Sequence, residues 1–536
     1  MTKIVKLDNF IETSYELPPD FENKLWKAAD KLRKKVEVHE YKYVVLGLIF
    51  LRYLSYAFEE RKNELKKLFS DKNSPYYIED EEIRKEALED KDYYLEAGVL
   101  YIPEKARWDY IHKNANQPNI AEIIENAIEI LENEYPEELK DVIPKVYLKS
   151  NLDSLDLSYL INVFSEIDFG YNHKAKDIFG RIYEYFLGKF TEVEGKRGGK
   201  FYTPRCLTRL IVEILDVKEG TIFDPACGSG GFFVSAIEKL EREDLDKYKL
   251  SIYGQDADVM AWRLTKMNLV IRGVSGDIRV GDSYHDDKFF DMKFDYVVSN
   301  PPFNDSEWDS KRIKPDDPRL KVGEYRVPVP PESNANYMWI LHFIYHLNQN
   351  GKAGFVMANG ALSAGGVEGK IREAIIKADL VYGIVSCPAK LFYNVSLPVS
   401  LWFIRKEKPE HMKGKILFIN AKDLYKQVSR RLNVMTDEHI NKIVEKFRLF
   451  EKGELDKIDE VGFARVASIE DVAKNNYVLT PGRYVGVKLD IDDRESFEEK
   501  MRIYSEELER LLKEEEDLTK KVREVFKEIG FKIWGE

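Results

Sequence analysis

"TIFDPACGSGGF", residues 221–232, runs from β-branched and aromatic residues into a turn holding Gly228, Ser229, Gly230 and Gly231, then into the helical pattern Phe232 to Leu240. Glycines at a strand-to-helix join let the backbone approach a ligand and take torsions that a side chain forbids, while the helix N-terminus offers free N–H groups. Alone, the turn is ambiguous: its spacing is not GxGxxG, and similar turns serve dinucleotides and plain joints alike. "YGQDAD", residues 253–258, narrows the choice. It closes the next apolar run, and an acid there, Asp256 in preference to Asp258, can accept both ribose hydroxyls of an adenosine. With no third glycine, S-adenosylmethionine fits the pattern better than a dinucleotide.

Outward from the turn, short β-branched and aromatic runs alternate with helical segments. Candidate strands are Thr221 to Phe223, Leu250 to Gly254, Ile278 to Val280, Phe294 to Val298, Ala353 to Met357, Val381 to Val385 and Val399 to Ile404. This alternation predicts an α/β core, a mostly parallel seven-stranded sheet wrapped by helices, with ligands at the C-terminal strand ends. Residues 21–65 and Ile120 to Leu131 carry apolar residues at helical spacing and predict an N-terminal helical domain. The polar stretch at 149–154 marks its edge, giving domains 1–160, 161–485 and 486–536. The last segment predicts a helix with a heptad seam of Phe497, Met501, Tyr504, Leu508, Leu511, Leu518, Val522, Val525 and Ile529, interrupted at Glu515. Such a stripe seeks a partner helix or packs back on its own domain.

"SNPPF", residues 299–303, ends one of these strands with an amide, two prolines and an exposed aromatic. An aromatic amine is a poor nucleophile because its lone pair is delocalised into the ring. Two acceptors aimed at its hydrogens, the Asn300 side-chain oxygen and a main-chain carbonyl such as that of Pro301, pull it toward tetrahedral geometry. Pro301 and Pro302 fix φ and remove competing donors. Phe303 offers a face for a base swung out of a duplex. Asp282, in "RVGDSY" at the end of the intervening strand, is placed to touch the cofactor's adenine amine or to cap a helix.

The totals restrict the partners. A net charge of −12 is unlike a stand-alone DNA binder, which usually carries a basic stripe. Lys196, Arg197, Lys200, Arg205, Lys311, Arg312 and Lys314 suffice for phosphate contacts near the pocket but carry no sequence code. No apolar run of membrane-spanning length and no signal peptide is present, and the three cysteines lack CxxC spacing, as expected of a cytoplasmic protein. The eight histidines show no HExxH or other metal spacing, and no metal is expected. No GxxxxGK[ST] loop occurs, so nucleotide-driven motion is unsupported.

With these residues in view, "FDPACGSGGF" followed by "NPPF" resembles the amino-methylating DNA methyltransferases, and "GGKFYTPR" (198–205) is similar to their extra cofactor segment. Three longer blocks, 25–61, 335–363 ("ANYMWILHFIYHLNQNGKAGFVMANGALS") and "PGRYVG" (481–486), resemble the modification subunit of type I restriction-modification systems, a likeness over nearly the whole chain. The resemblance implies a Rossmann-like S-adenosylmethionine-dependent N6-adenine DNA methyltransferase whose N-terminal domain helps clamp double-stranded DNA. Its C-terminal helix would dock on a separate specificity subunit, alongside a second copy of the modification subunit and, in some assemblies, a restriction subunit. Carried over by position, Lys200, Phe201, Tyr202, Thr203, Pro204, Arg205, Ser229, Gly230, Gly231 and Asp256 would bind the cofactor, with Asn300, Pro301, Pro302 and Phe303 catalytic; Asp224, Gly228 and Asp282, at the same strand ends, join the cofactor set as expectations from the residues themselves. Asp256 stands where glutamate is commoner. Two alternatives stay open: a methyltransferase acting on another planar amine or amide (a protein glutamine or an RNA base), and a non-catalytic DNA-clamp subunit.

Overall fold

The computed structural model describes residues 35, 38–150, 152–166, 203–392, 398–429, 432–487 and 497–528. The seven candidate strands all form: β1 (Gly220–Asp224), β2 (Leu250–Asp256), β3 (Asp277–Val280), β4 (Phe294–Ser299), β5 (Leu347–Ala358), β6 (Val381–Ser386) and β7 (Val399–Arg405). Two more, β8 (Lys415–Asn420) and β9 (Ala464–Ser468), extend the sheet to nine strands in the order β9-β8-β6-β7-β5-β4-β1-β2-β3. The expected seven is thus two short. Strand β9 is a five-residue edge with little continuous burial, and such a strand has one neighbour and needs only a weak apolar pattern. Strand β7 runs antiparallel to both neighbours, and β9 is antiparallel to β8; the remaining pairs are parallel.

Alternation along the strands feeds two cores. On β7, Val399, Leu401 and Phe403 enter the layer under the helices Arg205–Leu215, Gly231–Arg242 and Asp437–Lys452. Trp402 and Ile404 face the opposite layer, with Asn336–His346 and Gly366–Lys377. Because β1, β2 and β4 are parallel and adjacent, their C-terminal ends lie side by side, which brings residues 224–231, 256–258 and 300–303 together.

The N-terminal helices have their own core. Helix Val38–Ser70 packs Leu48, Leu51, Leu54 and Phe58 with Ile124 and Ile128 of Ile120–Glu134 and with Leu157, Ile161 and Phe164 of Ser154–Ser165. The polar stretch before Ser154 is a helix start: Asp153 accepts from the Asp156 N–H and Asp156 reaches back to the Asp153 N–H, a capping box. Helix Ser154–Ser165 therefore runs across residue 160 without a break. The helix Val259–Ile271 also contributes to this core, through Met260, Leu264, Met267 and Ile271. Chain contacts divide the protein into Met1–Val485 and Gly486–Glu536, the second unit holding the helix Phe497–Glu528. No described helix is long and apolar enough to cross a membrane.

Candidate active site

Strand β1 delivers Asp224 to its C-terminal end, where the side chain is 1% exposed. Its Oδ1 accepts from the Ala226 N–H (3.0 Å) and the Ser299 hydroxyl (2.9 Å), so one buried carboxyl joins the glycine turn to the strand bearing Asn300. Burial, with a smaller effect from the Asp256 carboxylate, pushes its pKa up to about 8.

The turn needs its glycines. Gly228 (φ 55°) and Gly230 (φ 80°) are left-handed, and Gly230 caps the helix Gly231–Arg242. A Cβ on Gly230 would meet the Thr265 side chain at 3.1 Å, whereas one on Gly228 would enter open space. Asp256, at the end of β2, accepts from the Gly228 N–H and the Asp258 N–H, each at 2.9 Å. These bonds orient Asp256 beside the glycine turn. Asp258, the less favoured acid, caps the helix Val259–Ile271 through the Met260 N–H. From that helix Thr265 donates to the Gly228 carbonyl (3.0 Å) and Asn268 to the Ser229 carbonyl (2.8 Å). Neither residue stands out in the sequence, because the pair reads as ordinary polar positions on a helix until the fold brings the turn beneath them.

Asn300 carries the most informative geometry. Its Nδ2 donates to the Thr203 hydroxyl at 2.9 Å, which links the segment before the first helix of the core to the catalytic candidates. Its Oδ1 is buried and accepts from no donor among the described residues. Nor does the Pro301 carbonyl accept a hydrogen bond among the described residues. Two acceptors with spare capacity at one strand end suit an NH2 group, since a buried unpaired acceptor costs about 1–3 kcal/mol unless a donor arrives. Phe303 is half-buried where an exposed ring was expected: Phe392 supports it edge-on, with centroids 6.3 Å apart.

The other candidates are placed as follows. Pro204 is the cap position of helix Arg205–Leu215, and Arg205 pairs with Glu238 at 2.7 Å. Asp282 accepts from the Tyr284 N–H (2.9 Å) and lies 2.8 Å from His285 Nδ1, so it braces a turn, with no helix following. Lys311, Arg312 and Lys314 are exposed on the loop beyond Phe303. Lys196, Arg197, Lys200, Phe201 and Tyr202 lie outside the described residues.

The unpaired Oδ1, the open space at Gly228 and the braced Asp256 together fit an adenosine-bearing methyl donor facing an amine. A separate group, Asp287, His342 and His346, has the ligand types for a metal. His346 there sits 3.0 Å from the Met292 carbonyl and 2.8 Å from Asp287, beside Phe294 at the far end of β4 from Asn300. Both His346 nitrogens face acceptors, whereas neither nitrogen of the buried His342 has a hydrogen-bond partner among the described residues.

Comparison with known proteins shows the family. Residues 174–493 match the N-6 DNA Methylase family and residues 21–164 the HsdM N-terminal domain. The chain is 71% identical to the type I restriction enzyme MjaIX methylase subunit of Methanocaldococcus jannaschii, over 96% of this chain and 93% of that one. It is 37% identical to the HindI methylase subunit of Haemophilus influenzae, over 77% and 95%. The solved type I restriction-modification methyltransferase subunit from Streptococcus thermophilus superposes with a TM-score of 0.70 at 25% identity, covering 87% of this chain and 99% of that one. A buried amide whose oxygen has no donor among the described residues, beside a glycine turn braced by an acid, thus sits in a chain that belongs to the N-6 DNA methylase family, among the methylase subunits of type I restriction enzymes.

Proposed function

We propose that this chain is the modification subunit of a type I restriction-modification complex and methylates the N6 amine of an adenine swung out of double-stranded DNA. The observation that carries the reading is the unpartnered Asn300 Oδ1, oriented by Thr203 at the end of β4. S-adenosylmethionine, when bound, supplies an electrophilic methyl group on a sulfonium. The chain's own part is to bind, orient and polarise. Gly228, Ser229, Gly230 and Gly231 bring the backbone close to the donor, and Asp256 accepts from its ribose. Thr203, Pro204, Arg205, Asp224 and Asp282, with Lys200, Phe201 and Tyr202 outside the described residues, are assigned to the donor as well, on the resemblance and on their places in the sequence. Asn300 Oδ1 and the Pro301 carbonyl accept from the two amine hydrogens, which localises the nitrogen lone pair toward the methyl group. As the new N–C bond forms, the C–S bond pair returns to sulfur and the amine sheds one proton to solvent. Phe303 supports the extruded ring at about 1–3 kcal/mol.

Sequence recognition falls to a separate specificity subunit, in keeping with the net charge of −12, and assembly with a second modification subunit, with or without a restriction subunit, follows. The test is radiolabelled methyl transfer to DNA from an unmethylated host, by the chain with its specificity partner. Asn300→Ala should lower turnover by about 10²-fold or more while cofactor affinity stays near that of the parent. Unchanged turnover in the variant would overturn the assignment, as would transfer to a base other than adenine.

A further inference from the structure

We propose that Asn336, outside the residues that touch substrate or cofactor in the reading above, is a positioning residue that aims Phe303 at the extruded base; the inference rests on that methyl-transfer reading. Asn336 is 1% exposed and opens the helix Asn336–His346. Both halves of its amide are used on one residue: Oδ1 accepts from the Asn304 N–H at 2.9 Å, and Nδ2 donates to Asn304 Oδ1 at 3.0 Å. Next to it, the Ala335 N–H donates to the Asp305 carbonyl at 2.9 Å. Residues 304 and 305, the two that follow Phe303, are therefore tied to the start of this helix.

Such a tie suits the backbone. Asn304 is left-handed (φ 53°), which turns the chain sharply just after the ring-bearing residue, and this conformation costs a non-glycine residue about 1–2 kcal/mol. Only an amide sets an acceptor and a donor side by side to hold the N–H and the side-chain oxygen of the same turn residue. The anchor is firm, because Tyr337, Ile340, Leu341 and Phe343 of the same helix are buried in the core. On the other flank, Thr203 holds Asn300. The five residues 300–304 are consequently clamped at both ends, at the amide that polarises the amine and at the turn that directs the ring. The helix itself has a full apolar face and does not depend on Asn336 for its place, so the bond to Asn304 is available for orienting the loop.

The experiment uses the assembled enzyme with its specificity partner, on duplexes whose target adenine has been located by sequencing the modified DNA. Asn336→Ala is expected to lower kcat by about 10–10²-fold, as for an active-site displacement of about 1 Å. Cofactor affinity should stay within about twofold, and 2-aminopurine at the target position should report weaker extrusion. Asn304→Gly keeps the left-handed turn but loses the side-chain bond and should show the same kind of defect. Asn304→Asp preserves an oxygen for Asn336 Nδ2 and should recover most of the activity. If Asn336→Ala does not fold, the contrast between the two Asn304 variants decides the matter. Parent-like kcat in Asn336→Ala, or equal activity in Asn304→Gly and Asn304→Asp, overturns the positioning role while leaving methyl transfer intact. A parent enzyme that methylates no adenine overturns both.

Discussion

At Asp224, burial and the neighbouring Asp256 carboxylate raise the pKa from the usual carboxylate range to about 8, so the folded protein holds this proton over a span in which the unfolded chain has lost it. Stability then falls as pH rises, because the native state binds more protons than the unfolded state between about pH 4 and pH 8. The slope approaches 1.4 kcal/mol per pH unit, at about 1.36 kcal/mol per unit of pKa difference. Asp224→Asn keeps an oxygen for the Ala226 N–H and the Ser299 hydroxyl but has nothing to titrate. Its stability relative to the parent should rise steadily across that window and level off above pH 8. Urea unfolding at pH 5, 6.5 and 8 reads this directly, and a parent–variant difference that does not change with pH would contradict it. The residue scale is also where the sequence was most and least readable. Asn300, the glycines and Asp256 are legible by residue type and position, and the structure brings them together at adjacent strand ends. The half-burial of Phe303 was not readable, since its support comes from Phe392 in a distant loop.

Among the elements, the helix Val259–Ile271 has two separate duties. One side sends Thr265 and Asn268 to the carbonyls of Gly228 and Ser229, and Met260, Leu264, Met267 and Ile271 enter the N-terminal core. Tyr53 of the long N-terminal helix donates to the Ile271 carbonyl at 3.0 Å, which fastens the helix end to that core. The turn that would hold the donor is thus buttressed by an element that the N-terminal helices also grip. Asn268→Ala leaves the Ser229 carbonyl without its donor, a loss of about 1–3 kcal/mol, and should weaken S-adenosylmethionine binding by about 10-fold in calorimetry. Parent-like affinity would show that the turn keeps its shape without the helix. Periodicity explains why the strands were legible and this was not: buried parallel strands advertise themselves as β-branched runs, whereas a helix apolar on more than one side carries no mark of which neighbour each side meets. The two strands missed by the seven-strand expectation lie at the antiparallel end of the sheet, and the outermost, β9, alternates buried and exposed residues too briefly to read.

On the scale of the whole molecule, an acidic chain that acts on DNA must draw part of its affinity from elsewhere, and the proposed docking stripe lies in the C-terminal unit. Helix Phe497–Glu528 has 32 residues and spans about 48 Å at 1.5 Å per residue. Along it Tyr504, Leu508 and Leu511 are 63%, 58% and 49% exposed, and Met501, Leu518 and Val522 are exposed as well, which follows the heptad seam of the sequence. Each such side chain gains about 1.5–3 kcal/mol on full burial, so a partner helix along the stripe would be held by several residues acting together. Replacing Leu508 and Leu511 with glutamate places two charges in the centre of that contact, where an unpaired buried charge costs several kcal/mol. The double variant should fail to co-purify with the specificity subunit on size-exclusion chromatography and should lose site-specific methylation. Cofactor binding should be unchanged, because no residue of the glycine turn belongs to this unit. Co-purification equal to that of the parent would mean that the seam is not the docking stripe, and the affinity missing from an acidic chain would then have to come through the N-terminal helices.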